Sequence, residues 1–188
     1  MSPEPLFQIH LVLGYVAWLL CFGAYVWPWL KSMDRVEAQR AIATLHSFRF
    51  FGLVFILPGV VGPHLPAGFA TFAAYGDLAT GLLAMLALLT MRIRPLFWAL
   101  IVAFNLVGTV DLVLNYYHAV QVGLPALAGE LGATYAIPII YVPVLMITHF
   151  AAFYLIVEGL SREAASAGRC RAGRFVRGRA RSNGRCRR

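Results

Sequence analysis

LFWALIVAFNLVGTVDLVLNYYHA, residues 96–119, is a run of 24 residues in which Asp111 is the one side chain charged at neutral pH. Coiled as an α-helix at ~1.5 Å per residue, such a run reaches across the roughly 30 Å of a bilayer's hydrocarbon. Four more windows of the same character surround it, at about 7–30, 45–63, 72–91 and 134–157. The last qualifies despite Pro138 and Pro143, because prolines are tolerated in membrane helices where neighbours satisfy the freed carbonyls. The first is preceded by Glu4 rather than by a basic leader and is longer than a signal-peptide core, which makes it a retained span. The sequence therefore predicts an all-α fold: an integral membrane bundle of five transmembrane helices over residues 1–160.

Composition agrees with that reading. Hydrophobic residues make up 60% of the chain, charged residues 13%, and the mean hydropathy is +0.72, too apolar for a soluble domain of this length to clothe with a polar surface. The net charge of +8 is mostly a property of residues 161–188, which hold ten of the 16 Lys and Arg residues. That Arg-rich tail has no apolar periodicity and is expected to be disordered and cytoplasmic. It suits the anionic inner leaflet, at about 1 kcal/mol per basic residue near the surface. No organised motif accompanies the charge, so nucleic acid is not an expected partner.

Placement of the other basic residues sets an orientation. Lys31, Arg35 and Arg40 fall in the first connection, and Arg92 and Arg94 between the third and fourth windows, whereas 64–71 and 120–133 carry no Lys or Arg. By the positive-inside rule, the N-terminus is expected outside and the C-terminus in the cytoplasm. Trp27, Trp29 and Trp98 then mark the inner interface, and Tyr75, Tyr116 and Tyr117 the outer one.

Polar groups inside these windows are the candidates for function. Asp111, Asn115 and His118 recur at i, i+4 and i+7, one stripe of a helix, with Asp111 roughly 5 Å outward of the bilayer centre. An unpaired aspartate there costs roughly 2.5–3.5 kcal/mol, so Asp111 must face the bundle, take a proton or hold a cation. Asp77 falls in the same outer half. An outward-facing cavity lined by Asp77, Asp111, Asn115 and His118 is thus the expected ligand or proton site.

Secondary candidates are His10, His46, Arg49, His64, Tyr141 and His149. Taken singly, a histidine in such a position is more often a packing or interfacial residue than a ligand. Arg49 either snorkels to lipid phosphate or turns inward and grips an anionic group with its planar fork. Asn105, Gly108 and Thr109, like Gly76, Gly81 and Ala84, read as close-packing positions between helices.

Three classes of function fit this pattern. One is binding or translocation of a small polar species or protons through the outer cavity. A second is a redox protein holding haem or a metal through His10, His118, His46 or His149. A third is an accessory or assembly subunit of a larger membrane complex, or a lipid-modifying membrane enzyme; a homo-oligomer is compatible with each. There is no G-x-x-x-x-G-K-[ST], H-E-x-x-H, G-x-S-x-G or C-x-x-C, which argues against nucleotide hydrolysis, zincin chemistry, an elbow-type serine hydrolase and a thiol redox site.

From Phe48-Arg49-Phe50-Phe51-Gly52 through Leu57-Pro58-Gly59, then Ala73-Ala74-Tyr75-Gly76-Asp77-Leu78 and Asn105 through Thr109 to Asp111, the chain resembles small bacterial multi-pass membrane proteins of unknown function. The resemblance covers roughly residues 45–150. It implies the bacterial inner membrane and transfers no activity.

Overall fold

The computed structural model describes residues 2–159 and 161, and all regular structure among them is helical. The Arg-rich tail expected from 161 onward lies outside the described residues, apart from Ser161.

Helix α1 runs from Pro3 to Ser32 and loosens into a π turn over Phe22–Val26 just before Pro28. Helix α2, Arg35–Ser47, starts at Asp34, whose carboxylate accepts from the backbone N–H of Val36 (2.9 Å) and Glu37 (3.0 Å). Those bonds satisfy donors that a helix start otherwise leaves open. Beyond Ser47 the chain tightens into a 3₁₀ stretch, Phe48–Ile56. Helices α3 (Ala67–Leu89) and α4 (Arg94–Gln121) follow. Two short 3₁₀ turns, Ala128–Tyr135, are interrupted at Gly132. Helix α5, Ile137–Gly159, begins with a π turn that contains Pro138.

Four helices, α1, α3, α4 and α5, are long and apolar enough to cross a membrane. The fifth expected span is not among them. The window 45–63 is no single apolar helix: its α-helical part ends at Ser47, its 3₁₀ part at Ile56, and Gly59 then turns with φ +79°. Pro58 accounts for the stop, since it clashes with a helical conformation at the preceding residue, and Leu57 is extended. The 3₁₀ geometry has a consequence of its own. With three residues per turn, Arg49, Gly52 and Phe55 eclipse one another on one line, and these are the buried residues of the stretch. Phe48, Phe50 and Phe51 point outward and are exposed.

Among the described residues, 2–152 form one compact unit, and the second begins at Phe153, helical through Gly159 in its described part. Within the first unit, α2 and the 3₁₀ stretch both lie along α3, whose other side packs on α4. Helix α1 rests on the start of α5 and on the Ala128–Tyr135 turns. Phe7, Phe55, Phe69, Leu124, Leu131 and Ile137 make an apolar cluster at one end of this unit. The polar groups gather deeper, where α3, α4 and α5 meet the 3₁₀ stretch.

Candidate functional site: a buried arginine between two aspartates

Arg49 is fully buried, and its guanidinium is occupied on every side. Its Nε donates to Asp77 Oδ1 at 2.7 Å and its Nη2 to Asp111 Oδ2 at 2.5 Å. Nη1 donates to the Gly108 carbonyl at 3.4 Å and to His149 Nε2 at 3.2 Å. A guanidinium suits this position because its donors are fixed in one plane, so it can serve two carboxylates and a ring at once.

The hydrogen-bond pattern settles the protonation of the neighbouring rings. Asn105 donates its amide N–H to Ile101 O (2.8 Å), which turns Oδ1 toward His149 Nδ1 at 2.9 Å. Nδ1 therefore carries the hydrogen and Nε2 offers its lone pair to Arg49, leaving His149 neutral. Thr148 gives its hydroxyl hydrogen to Val144 O (2.7 Å), so it accepts from His46 Nε2 at 3.0 Å. His46 Nδ1 is buried without a partner, so a second proton there would be an unpaired buried charge, and this ring is neutral as well. The two imidazoles lie against each other, centroids 4.1 Å apart, with Phe104 beside His46 at 5.4 Å.

Counting charge gives the electrostatic character of the site: one guanidinium faces two carboxyl groups, and both imidazoles are neutral. With both carboxyls ionised, the cluster would carry a net negative charge inside the protein. Unpaired buried charge is costly, so a proton or another cation is needed to balance it.

Three glycines make the convergence possible. A Cβ on Gly76 would collide with the Asp111 carboxylate, and one on Gly52 with Asp77. At Gly108 it would lie 2.5 Å from His149 Nε2 and 2.7 Å from Arg49 Nη1. These residues read in the sequence as helix-packing positions or passed without comment; their role here is to leave volume for the charged groups.

Beside the cluster lies a cavity of about 130 Å³. Its walls are mainly apolar, including Phe7, Phe55, Phe69 and Leu131, and Asp77, Asn115 and Tyr116 contribute its polar surface. Asn115 donates its amide N–H to Asp111 Oδ1 at 3.1 Å, while its own Oδ1 is buried without a partner. The Tyr116 hydroxyl is paired with that of Tyr15 at 2.6 Å.

Of the residues singled out from sequence, the structure brings together Asp77, Asp111, Asn115, Arg49 and His149, with His46 adjoining. Asp77 and Asn115 line the cavity; Asp111 stands behind them against Arg49. His118 instead meets the edge of Phe72, centroids 4.5 Å apart. His10 pairs through Nδ1 with the Tyr135 hydroxyl at 2.9 Å. His64 is exposed and faces Glu130 at 3.3 Å. The Tyr141 hydroxyl donates to Leu45 O at 3.4 Å. Among the described residues, no group of three or more His, Cys, Asp or Glu side chains is arranged to hold a metal ion.

Sequence reasoning passed over Asn105 as a packing amide. A signal was there: one Arg and two Asp in otherwise apolar windows cannot all remain unpaired, and Asn105 lies within two turns of Asp111.

A family model described as a domain of unknown function (DUF8737) matches residues 6–157, and the chain belongs to that family. No curated protein and no solved structure matches it.

Proposed function

We propose that this member of the DUF8737 family is a multi-pass protein of the bacterial inner membrane whose Arg49–Asp77–Asp111 cluster reversibly binds a proton or small cation in a translocation pathway. The observation that carries the reading is the charge imbalance: two carboxyls share one guanidinium, and the imidazoles within reach are neutral. A structural ion pair needs only one carboxylate, so the second is free to exchange its proton.

Topology follows the same reading. Residues 35–56 add a fifth crossing: 13 α-helical and nine 3₁₀ residues extend roughly 37 Å, and Phe48, Phe50, Phe51 and Ile56 turn outward as lipid-facing side chains do. Five crossings keep the N-terminus outside and the Arg-rich end in the cytoplasm, as the distribution of basic residues favours.

Infrared spectroscopy on the purified protein in lipid nanodiscs tests the site. A protonated-carboxyl band at neutral pH, shifted in heavy water and removed by Asp111→Asn, is the expected result. Proton flux into reconstituted vesicles should fall with the same variant. Absence of the band together with flux unchanged in Asp111→Asn would overturn the reading.

A further inference from the structure

We infer that the cavity beside the cluster is a binding site for a small primary ammonium with a benzene-sized apolar body, whose cationic head takes the place of the cluster's proton. This names the ligand of the site proposed above and rests on that reading.

Size sets the first limit. A cavity of about 130 Å³ is comparable to the roughly 150 Å³ apolar cavity known to admit benzene. Its walls suit such a body, since Phe7, Phe55 and Phe69 offer aromatic surface, and aromatic faces also attract a cation.

The polar surface sets the second limit, because it offers acceptors to a ligand. Asn115 lines the cavity, but its N–H is given to Asp111 and its Oδ1 has no surface open to a ligand. Asp77 lines the same cavity and retains 6% of its surface, with one carboxylate oxygen engaged by Arg49. Tyr116 is paired with Tyr15. A ligand seated here must therefore bring hydrogen-bond donors. An anion would add to the net negative charge, and a neutral hydrocarbon would leave the cavity-facing Asp77 carboxylate without a donor. A primary ammonium supplies three donors and the missing positive charge.

The charged and titratable side chains around that seat and its cluster are Arg49 from the 3₁₀ stretch, Asp77 from α3, Asp111 and Tyr116 from α4, Tyr15 from α1, Tyr141 and the neutral His149 from α5, and the neutral His46 from α2. Only the two carboxyls have a proton to exchange at neutral pH. Entry of one R–NH₃⁺ is balanced by departure of one H⁺ from a carboxyl group, with no covalent bond made or broken.

The test uses the full chain in nanodiscs, titrated with benzylammonium chloride in weak buffer, with heat of binding and proton release followed together. Saturable binding is expected, with about one proton released per amine bound. Toluene and benzoate should bind at least about tenfold more weakly, the value of one lost hydrogen bond in a buried site. Ala73→Leu and Ala119→Leu, which place bulk at the cavity wall, should each abolish amine binding while the protonated-carboxyl band persists as the check that the cluster is intact.

Toluene binding as tightly as the amine, amine binding without proton release, or amine binding unchanged in both leucine variants would overturn the inference. No binding while the carboxyl band is present would overturn it too, and would leave the proton site standing. Absence of the band from the amine-free protein, with amine still bound on titration, would instead remove the proton reading on which the exchange depends.

Discussion

His149 Nδ1 donates to Asn105 Oδ1 across 2.9 Å, and this bond fixes which ring nitrogen meets Arg49. Asn105 is itself held by Ile101 O, so the orientation passes from α4 to the imidazole and on to the guanidinium. Asn105→Leu should cost roughly 1–3 kcal/mol by leaving a buried ring N–H without an acceptor. Thermal unfolding in a fixed detergent measures the loss, and histidine ¹⁵N shifts should report a mixture of tautomers where the native protein shows one.

Arg49 faces two buried carboxyl groups at once. Arg49→Met should destabilise by roughly 3–5 kcal/mol, since it strands two buried carboxyls. Adding Asp77→Asn and Asp111→Asn should recover much of that loss. A triple variant no more stable than Arg49→Met would mean that packing, rather than charge, accounts for the arginine's contribution.

Glycine positions divide into two groups. Gly76→Ala and Gly108→Ala intrude on Asp111 and on the Arg49–His149 contact, and each should destabilise by roughly 1–3 kcal/mol. Gly68, in the first turn of α3, has open space where a Cβ would go. Gly68→Ala should leave stability unchanged or slightly raised, as expected for a helix. Equal effects at all three sites would show that glycine flexibility, not volume, is the reason for Gly76 and Gly108.

Phe51 is exposed on the 3₁₀ stretch, opposite the line of Arg49, Gly52 and Phe55. If residues 35–56 cross the bilayer, Phe51→Asp should cost roughly 2.5–3.5 kcal/mol and reduce membrane insertion. A glycosylation or alkylation reporter placed after Ile56 would then change sides in part of the population. Normal insertion of Phe51→Asp would remove this crossing.

The helical class, the run 96–119 and the Asp111–Asn115 stripe were all readable from apolar length and a 3.6-residue period. The depth of Arg49 was not. The polar sequence of α2 lacks the hydropathy of a span, yet Ala38, Ile42, Ala43 and His46 bury one face. Beginning the window at residue 45 therefore set Arg49 near an edge rather than deep in the packed element. The stripe also overreached: His118 keeps the angular position of Asp111, but its neighbour at that height is Phe72, not a polar side chain. Helical periodicity gives direction around one helix; what the next helix presents at each level is a tertiary fact.

Helix α1 is the least embedded of the long helices: none of its most apolar 18-residue stretch is buried. It nevertheless supplies Phe7 and Leu11 to the cavity wall, and reaches its neighbours through Tyr15–Tyr116, His10–Tyr135 and the Trp18 N–H to Ile140 O (2.7 Å). Elements with few buried apolar contacts open at lower free energy than a core does. The cavity thus has unequal sides: its wall at α1 is expected to open at lower free energy than its wall at α3 and α4, which is packed into the core.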